Sequence, residues 1–180
     1  KESRNNKFED GQMAWIFRPR IWFLLVAAAC AALLGYGYYV QHVLFIDPCP
    51  LCVLQRLAFI WIGAVSLLAF MHNPATKGHW VYSGLVILGA LAGSAIAGRH
   101  VWLQSLPANL VPDCGMGLNY MLETMPFFEV LSEVFYGSGE CADINWAFLG
   151  LSMPGWSLLW YTGLAIATIM VLVKNSKAKA

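Results

Sequence analysis

Four long stretches with little or no charge constrain this chain more than any other feature of its sequence. Residues 21–40 run for 20 positions without a charged side chain. That is enough to cross roughly 30 Å of hydrocarbon as a helix rising about 1.5 Å per residue. Residues 80–98 and 156–173 are likewise uncharged, and 53–71 is broken only by Gln55 and Arg56 near its start. Backbone N–H and C=O groups in hydrocarbon must bond within their own segment, so these stretches are helices. Of the 180 residues, 59% are hydrophobic and 12% charged. A soluble core of this size could not cover so much apolar surface, and a bilayer is the solvent implied. The expected fold class is an all-α membrane protein, a four-transmembrane-helix bundle forming a single integral membrane domain over residues 1–180.

Charge bias orients the bundle. With a cytoplasmic N-terminus, nine of the eleven basic residues (Lys1, Arg4, Lys7, Arg18, Arg20, Lys77, Lys174, Lys177 and Lys179) fall inside, leaving Arg56 and Arg99 outside. The expectation is N-in, C-in: a cytoplasmic tail over 1–20, spans over about 21–40, 53–71, 80–98 and 156–173, and outer loops over about 41–52 and 99–155. The short cytoplasmic connection, 72–79, carries Asn73-Pro74, a turn signal. Ala27-Ala28-Ala29-Cys30 has the look of a lipoprotein signal, but the apolar run continues ten residues past Cys30, which favours a span. The formal net charge of +1 and the absence of a long Lys/Arg run argue against nucleic acid as a partner. Trp15, Trp22, Trp80, Trp102, Trp146 and Trp156 lie near span ends, as an interfacial aromatic belt would.

This topology puts four of the five cysteines in the outer loops, with Cys30 mid-span as a small packing residue. Cys49-Pro50-Leu51-Cys52 is a C-x-x-C at the start of a helix. Pro50 presets a first helical position and biases Cys49 toward an extended backbone. Cys52 then lies in the first turn, where unpaired N–H groups favour a thiolate. Arg56, one turn on, shares its face and could stabilise a thiolate or another anion, or could simply snorkel to the interface. Taken alone, the motif admits a redox pair, a structural bridge or a zinc half-site. A structural zinc site needs four ligands, and Cys114 and Cys141, with 26 residues between them, offer no second close pair. Redox chemistry is the favoured reading, with no metal.

Cys114 and Cys141 share an oxidising loop, where a bridge between them is the default, as a staple or as an exchange partner for the first pair. Two such pairs could pass electrons from a soluble partner toward the bilayer, and a C-x-x-C at lipid level points to a lipid-soluble acceptor. Between them, residues 126–135 have a helical pattern with Phe127, Val130, Leu131 and Val134 on one face and Glu129 and Glu133 on another. The expectation is a short amphipathic helix, lying on the membrane or packed on the bundle. His100 follows the third span at the level of Cys49 and Cys52, where a lone histidine is more often a solvated cap than a catalyst; His42 has less claim. Gly89-x-x-x-Gly93 permits close helix contact, within the bundle rather than between copies.

These residues resemble the DsbB family of bacterial disulfide-forming quinone reductases. The resemblance covers most of the chain. It rests on Gln41-His42-Val43 before Cys49-x-x-Cys52, on Arg56 and on His100. It rests also on Ser138-Gly139-Glu140-Cys141-Ala142, with Trp146-x-Phe148-Leu149-Gly150-Leu151 and Met153-Pro154-x-Trp156 beyond. It implies that a DsbA-like periplasmic thioredoxin-fold oxidase attacks the Cys114–Cys141 disulfide at Cys114, and that Cys141 then attacks Cys49. The freed Cys52 thiolate would form a charge-transfer or covalent complex with ubiquinone or menaquinone. Arg56 would stabilise the negative charge and His100 would help bind the quinone, at the periplasmic side of the bacterial inner membrane. Two departures stand out: the best-known motif is C-V-L-C followed by Glu-Arg, against Cys-Pro-Leu-Cys followed by Gln55-Arg56 here, and a Glu before the loop histidine is here Arg99. They keep in view the specialised paralogue DsbI, which serves a dedicated oxidase. A reductase similar to vitamin K epoxide reductase and a non-enzymatic membrane subunit with structural disulfides are the alternatives from other classes.

Overall fold

The computed structural model describes residues 19–107, 110, 118–137, 139–144 and 146–177. Four long helices dominate: α1 (Pro19–Val43), α2 (Pro50–His72), α3 (Thr76–Gln104) and α6 (Met153–Lys177). All four are long and apolar enough to cross a membrane. Each extends past the span expected for it, because lack of charge marks only the part of a helix that lies in hydrocarbon.

The helix ends have local causes. Cys49 is the N-cap of α2, with extended backbone (φ −66°, ψ 164°) and Pro50 in the first turn, where the missing N–H costs nothing. The other end stops at Asn73, whose left-handed backbone (φ 42°) lets its N–H bond Ala69 O, a conformation asparagine tolerates better than most residues. Helix α3 then begins at Thr76, so the connection is shorter than the expected 72–79 and His79 is a buried helical residue. At its far end α3 runs on to Gln104, which corrects the expected loop start at residue 99 and places His100 inside a helix.

Helix α2 packs against α1 and α3, and α3 against α6, while α6 meets α1 only slightly. The shared core is built from Phe23 and Val26 of α1, Phe59 and Ile62 of α2, Val86 and Ala90 of α3, and Tyr161 of α6. Cys30 lies in this core against Gly63, the packing role expected of it. Leu25, Leu68, Leu88 and Ile169 point outward and are exposed, as lipid-facing side chains should be. A Cβ on Gly89 would stand 2.6 Å from Trp61 of α2, and one on Gly93 would stand 2.5 Å from the Tyr161 ring of α6. The expected small-residue stripe therefore seats two neighbouring helices inside one bundle.

The segment between α3 and α6 caps the end of the bundle that carries the C-x-x-C. It contains α4 (Leu118–Thr124), α5 (Phe127–Tyr136), a 3-10 turn (Gly139–Cys141) and a small antiparallel hairpin, β1 (Ala147–Phe148) and β2 (Leu151–Ser152). Helix α5 matches the expected amphipathic helix. Val130 and Val134 bury against Leu51, Leu103 and Met121, Phe128 is 82% exposed, and Glu129 and Glu133 face outward. The inner face of α5 thus packs on the bundle; the side chains of Phe127 and Leu131 lie outside the described ones. The hairpin turns through Leu149 (φ 51°) and Gly150 (φ 79°), the two left-handed positions of a type I′ turn. Trp156 Nε1 donates to Phe148 O, and Ser152 Oγ donates to Gln104 Oε1, tying the hairpin to α6 and α3.

Candidate redox site

The site forms where the start of α2, the end of α3 and the 3-10 turn meet. Leu51 is completely buried and pins the first turn of α2 into the cluster beneath α5. This fixes Cys49 and Cys52 on either side of it, both half-buried. The Cys49 thiol donates to the Cys52 sulfur at 3.2 Å, so a disulfide of about 2.05 Å needs only a small rotation. Cys141 is fully buried in the same cluster and interacts electrostatically with Cys52. Residues 92 positions apart in sequence are thereby brought together. Cys114, the other candidate in the long loop, lies outside the described residues, and so does any bond it makes.

Arg56 is held from α1. Its guanidinium donates to Gln41 Oε1 at 2.5 Å and to Gly37 O at 3.1 Å, and it lies 5.1 Å over the Tyr38 ring. These contacts offset the cost of a cation at the edge of an apolar span and aim it at the Cys52 side of the site. His100 is 2% exposed, which overturns the solvated-cap expectation. Its Nε2 lies 3.7 Å from Cys49 Sγ, its Nδ1 lies 3.1 Å from Gln55 Nε2, and the Cys141 main chain hydrogen-bonds the ring. Gln55 is itself buried, and its carbonyl accepts the Tyr161 hydroxyl at 2.6 Å.

Spaces lined by the described residues surround these groups. A polar mouth is lined by Phe45, Asp47, Cys49, Glu140 and Asp143. An inner cavity of about 70 Å³ is lined by Cys49, Cys52, Arg56 and His100. A larger apolar cleft of about 420 Å³ opens between α1 and α6, beside Tyr36, Phe59, Trp156 and Trp160. Trp146 and Met153 line both the inner cavity and the cleft. Cys49 therefore faces the mouth as well as the inner cavity, whereas Cys52 and Arg56 line only the latter of the two.

Cys49, Cys52 and His100 hold three ligand atoms within 4.8 Å, a spacing that invites a metal reading. These three do not by themselves make a metal centre, since a structural zinc takes four protein ligands.

A two-thiol pair at the mouth of an apolar cleft, with a third buried cysteine against it, has the arrangement of a thiol–disulfide exchange centre, and known proteins agree. The family model described as Disulfide bond formation protein DsbB matches residues 19–171. The chain belongs to the DsbB family. Among its relatives, Disulfide bond formation protein B of Marinobacter nauticus is 48% identical over 161 residues, covering 89% of this chain and 92% of that protein. The Hahella chejuensis protein of the same name is 46% identical over 164 residues, covering 91% and 99%. That of Nitrosococcus oceani is 49% identical over 147 residues, covering 82% and 87%. Membership in the DsbB family makes the chain a disulfide bond formation protein of the oxidoreductase type, and its four apolar helices make it a multi-pass membrane protein. Two side chains around this DsbB-family site were not read as functional in the sequence: Gln41, which holds Arg56, and Gln55, which holds His100. Gln41 stood in a quoted motif and Gln55 beside Arg56, but a neutral amide announces no role until its partner is known.

Proposed function

We propose that this chain is a thiol:quinone oxidoreductase that reoxidises a periplasmic DsbA-like dithiol oxidase and passes the electrons to ubiquinone or menaquinone. It would sit in the bacterial inner membrane as one domain, N-in and C-in, with the redox site on the periplasmic side. The observation that carries the reading is the burial of Cys141 in the cluster on which Cys49 packs, beside a half-buried Cys49–Cys52 pair that also faces the inner cavity beside Arg56.

The steps follow thiol–disulfide exchange. A partner thiolate attacks Cys114 of the Cys114–Cys141 disulfide, and Cys141 leaves as thiolate. Cys141 attacks Cys49 of the Cys49–Cys52 disulfide, and Cys52 leaves as thiolate beside Arg56. The partner's second thiolate displaces Cys114, which completes the partner's disulfide. Cys114 then attacks Cys141, restoring their bond and releasing the Cys49 thiolate. Closing Cys49 and Cys52 to a disulfide gives up two electrons. These two electrons, with two protons, would reduce a bound quinone to the quinol. The residues present fit such a group: an aromatic cleft suited to a quinone ring with an isoprenoid tail, and a fixed guanidinium that lines the same inner cavity as Cys52.

Quinone reduction by the purified protein in detergent, with a reduced thioredoxin-fold dithiol partner as donor, tests the reading. Rapid turnover that falls at least about a thousandfold in Cys52→Ala and in Cys141→Ala is expected, as for loss of a nucleophile. Turnover retained in Cys52→Ala would sink the mechanism.

A further inference from the structure

Gln55 reaches His100 from a position that is itself clamped. Its main-chain carbonyl accepts the Tyr161 hydroxyl at 2.6 Å, its side chain is 4% exposed, and its amide nitrogen lies 3.1 Å from His100 Nδ1. A carboxamide nitrogen has protons to give and no lone pair to offer, so Nδ1 must be the acceptor. In a neutral imidazole the single proton then sits on Nε2. Besides Gln55, the ring faces the Cys49 sulfur, 3.7 Å from Nε2, and the Cys141 main chain, which hydrogen-bonds it.

We propose that Gln55 is a positioning residue that fixes the tautomer of His100, so that Nε2–H is aimed at the Cys49 sulfur. The consequence rests on the exchange mechanism above. Cys49 becomes a thiolate when Cys114 displaces it from Cys141, and it must persist as one until it closes on Cys52. An N–H donor directed at that sulfur stabilises the thiolate without adding a formal charge. It thereby favours the reduced form of the pair and makes the Cys49–Cys52 disulfide a stronger oxidant, because reduction of that disulfide ends in the thiolate so stabilised. Gln55 touches neither sulfur. It acts through the ring, and two neighbouring helices, α2 and α3, are held in the register that this requires.

The test uses the full chain in detergent, labelled with ¹⁵N-histidine. His42→Gln, His72→Gln and His79→Gln each remove one pair of ring signals, which leaves His100 assigned without altering it. The wild type should show a protonated Nε2 and an acceptor Nδ1. Gln55→Glu, whose carboxylate can only accept, should reverse this to Nδ1–H. Gln55→Met, apolar and of similar length, should leave the ring in a mixture of tautomers. In Gln55→Met the equilibrium of the Cys49–Cys52 pair with a reference dithiol should move toward the disulfide by about tenfold, or about 30 mV for two electrons. A wild-type ring protonated at Nδ1 would overturn the assignment, as would variants that fold and leave both tautomer and equilibrium unchanged. Should neither variant fold, the wild-type spectrum alone still decides the tautomer. Failure of quinone turnover in the wild type would instead overturn the proposed function, and the tautomer would still be measurable.

Discussion

Arg56 illustrates how a charge at a helix edge is tamed one contact at a time. The Gln41 oxygen, the Gly37 carbonyl and the Tyr38 ring each take part of the guanidinium, and a planar fork can meet all three at once where an ammonium cannot. Gln41→Leu should therefore lower kcat/KM for the quinone by ~10–100-fold, the scale of one hydrogen bond to a charged group. The rate at which the partner reduces the cysteines should change little. Rapid-mixing experiments that follow the two half-reactions separately check this, and equal slowing of both would contradict it. At this scale the sequence was legible for the groups that carry charge or sulfur. Spacing put Cys49, Cys52 and Arg56 at the start of one helix, where the fold has them, while leaving open whether the pair was redox-active, a bridge or a zinc half-site. The burial of His100 could not be read in this way, because it depends on a helix that runs on past Gly98 and on a loop folded over it. The roles of Gln41 and Gln55 depend in the same way on partners 15 and 45 positions away.

The helices were legible because hydrocarbon leaves so few alternatives: each needed only a long run without charge. The hairpin was not. Its strands are two residues each, too short for an alternating pattern, and Leu149-Gly150 is not the usual Asn-Gly signal. Helix α4, at seven residues, was missed for a similar reason, since so short an element shows hardly two turns of periodicity. Packing between helices was half legible: Gly89 and Gly93 announced close contact, but only the fold assigns one to Trp61 and the other to Tyr161. Gly93→Ala must push against a buried ring whose hydroxyl is tied to Gln55, and should cost about 1–3 kcal/mol by overpacking. Gly163→Ala, with nothing within 4 Å of the new methyl, should stay within about 0.5 kcal/mol of the parent. Unfolding titrations in mixed micelles measure both, and equal effects would refute this division of the two sites.

Across the whole molecule, the site lies where a polar mouth, a small inner cavity and a lipid-side cleft succeed one another, with Cys49 common to the first two and Trp146 and Met153 common to the last two. The cleft exists because α1 and α6 scarcely touch, the one open seam in an otherwise closely packed set of helix pairs. The chain order could not have revealed that seam; the approach of Cys141 to Cys49 and Cys52 was one of two readings open for the second cysteine pair, and resemblance to the DsbB family made it specific. The account stands on electrons crossing from thiols at the mouth to an acceptor at the cleft. The most direct measurement is a single-turnover count, in which oxidised protein and quinone are mixed without oxygen with a limiting amount of reduced dithiol partner. One quinol formed for each partner disulfide, with Cys49–Cys52 recovered as a disulfide at the end, is the predicted result. Partner disulfide formed without quinol, leaving the cysteines of this chain reduced, would contradict it.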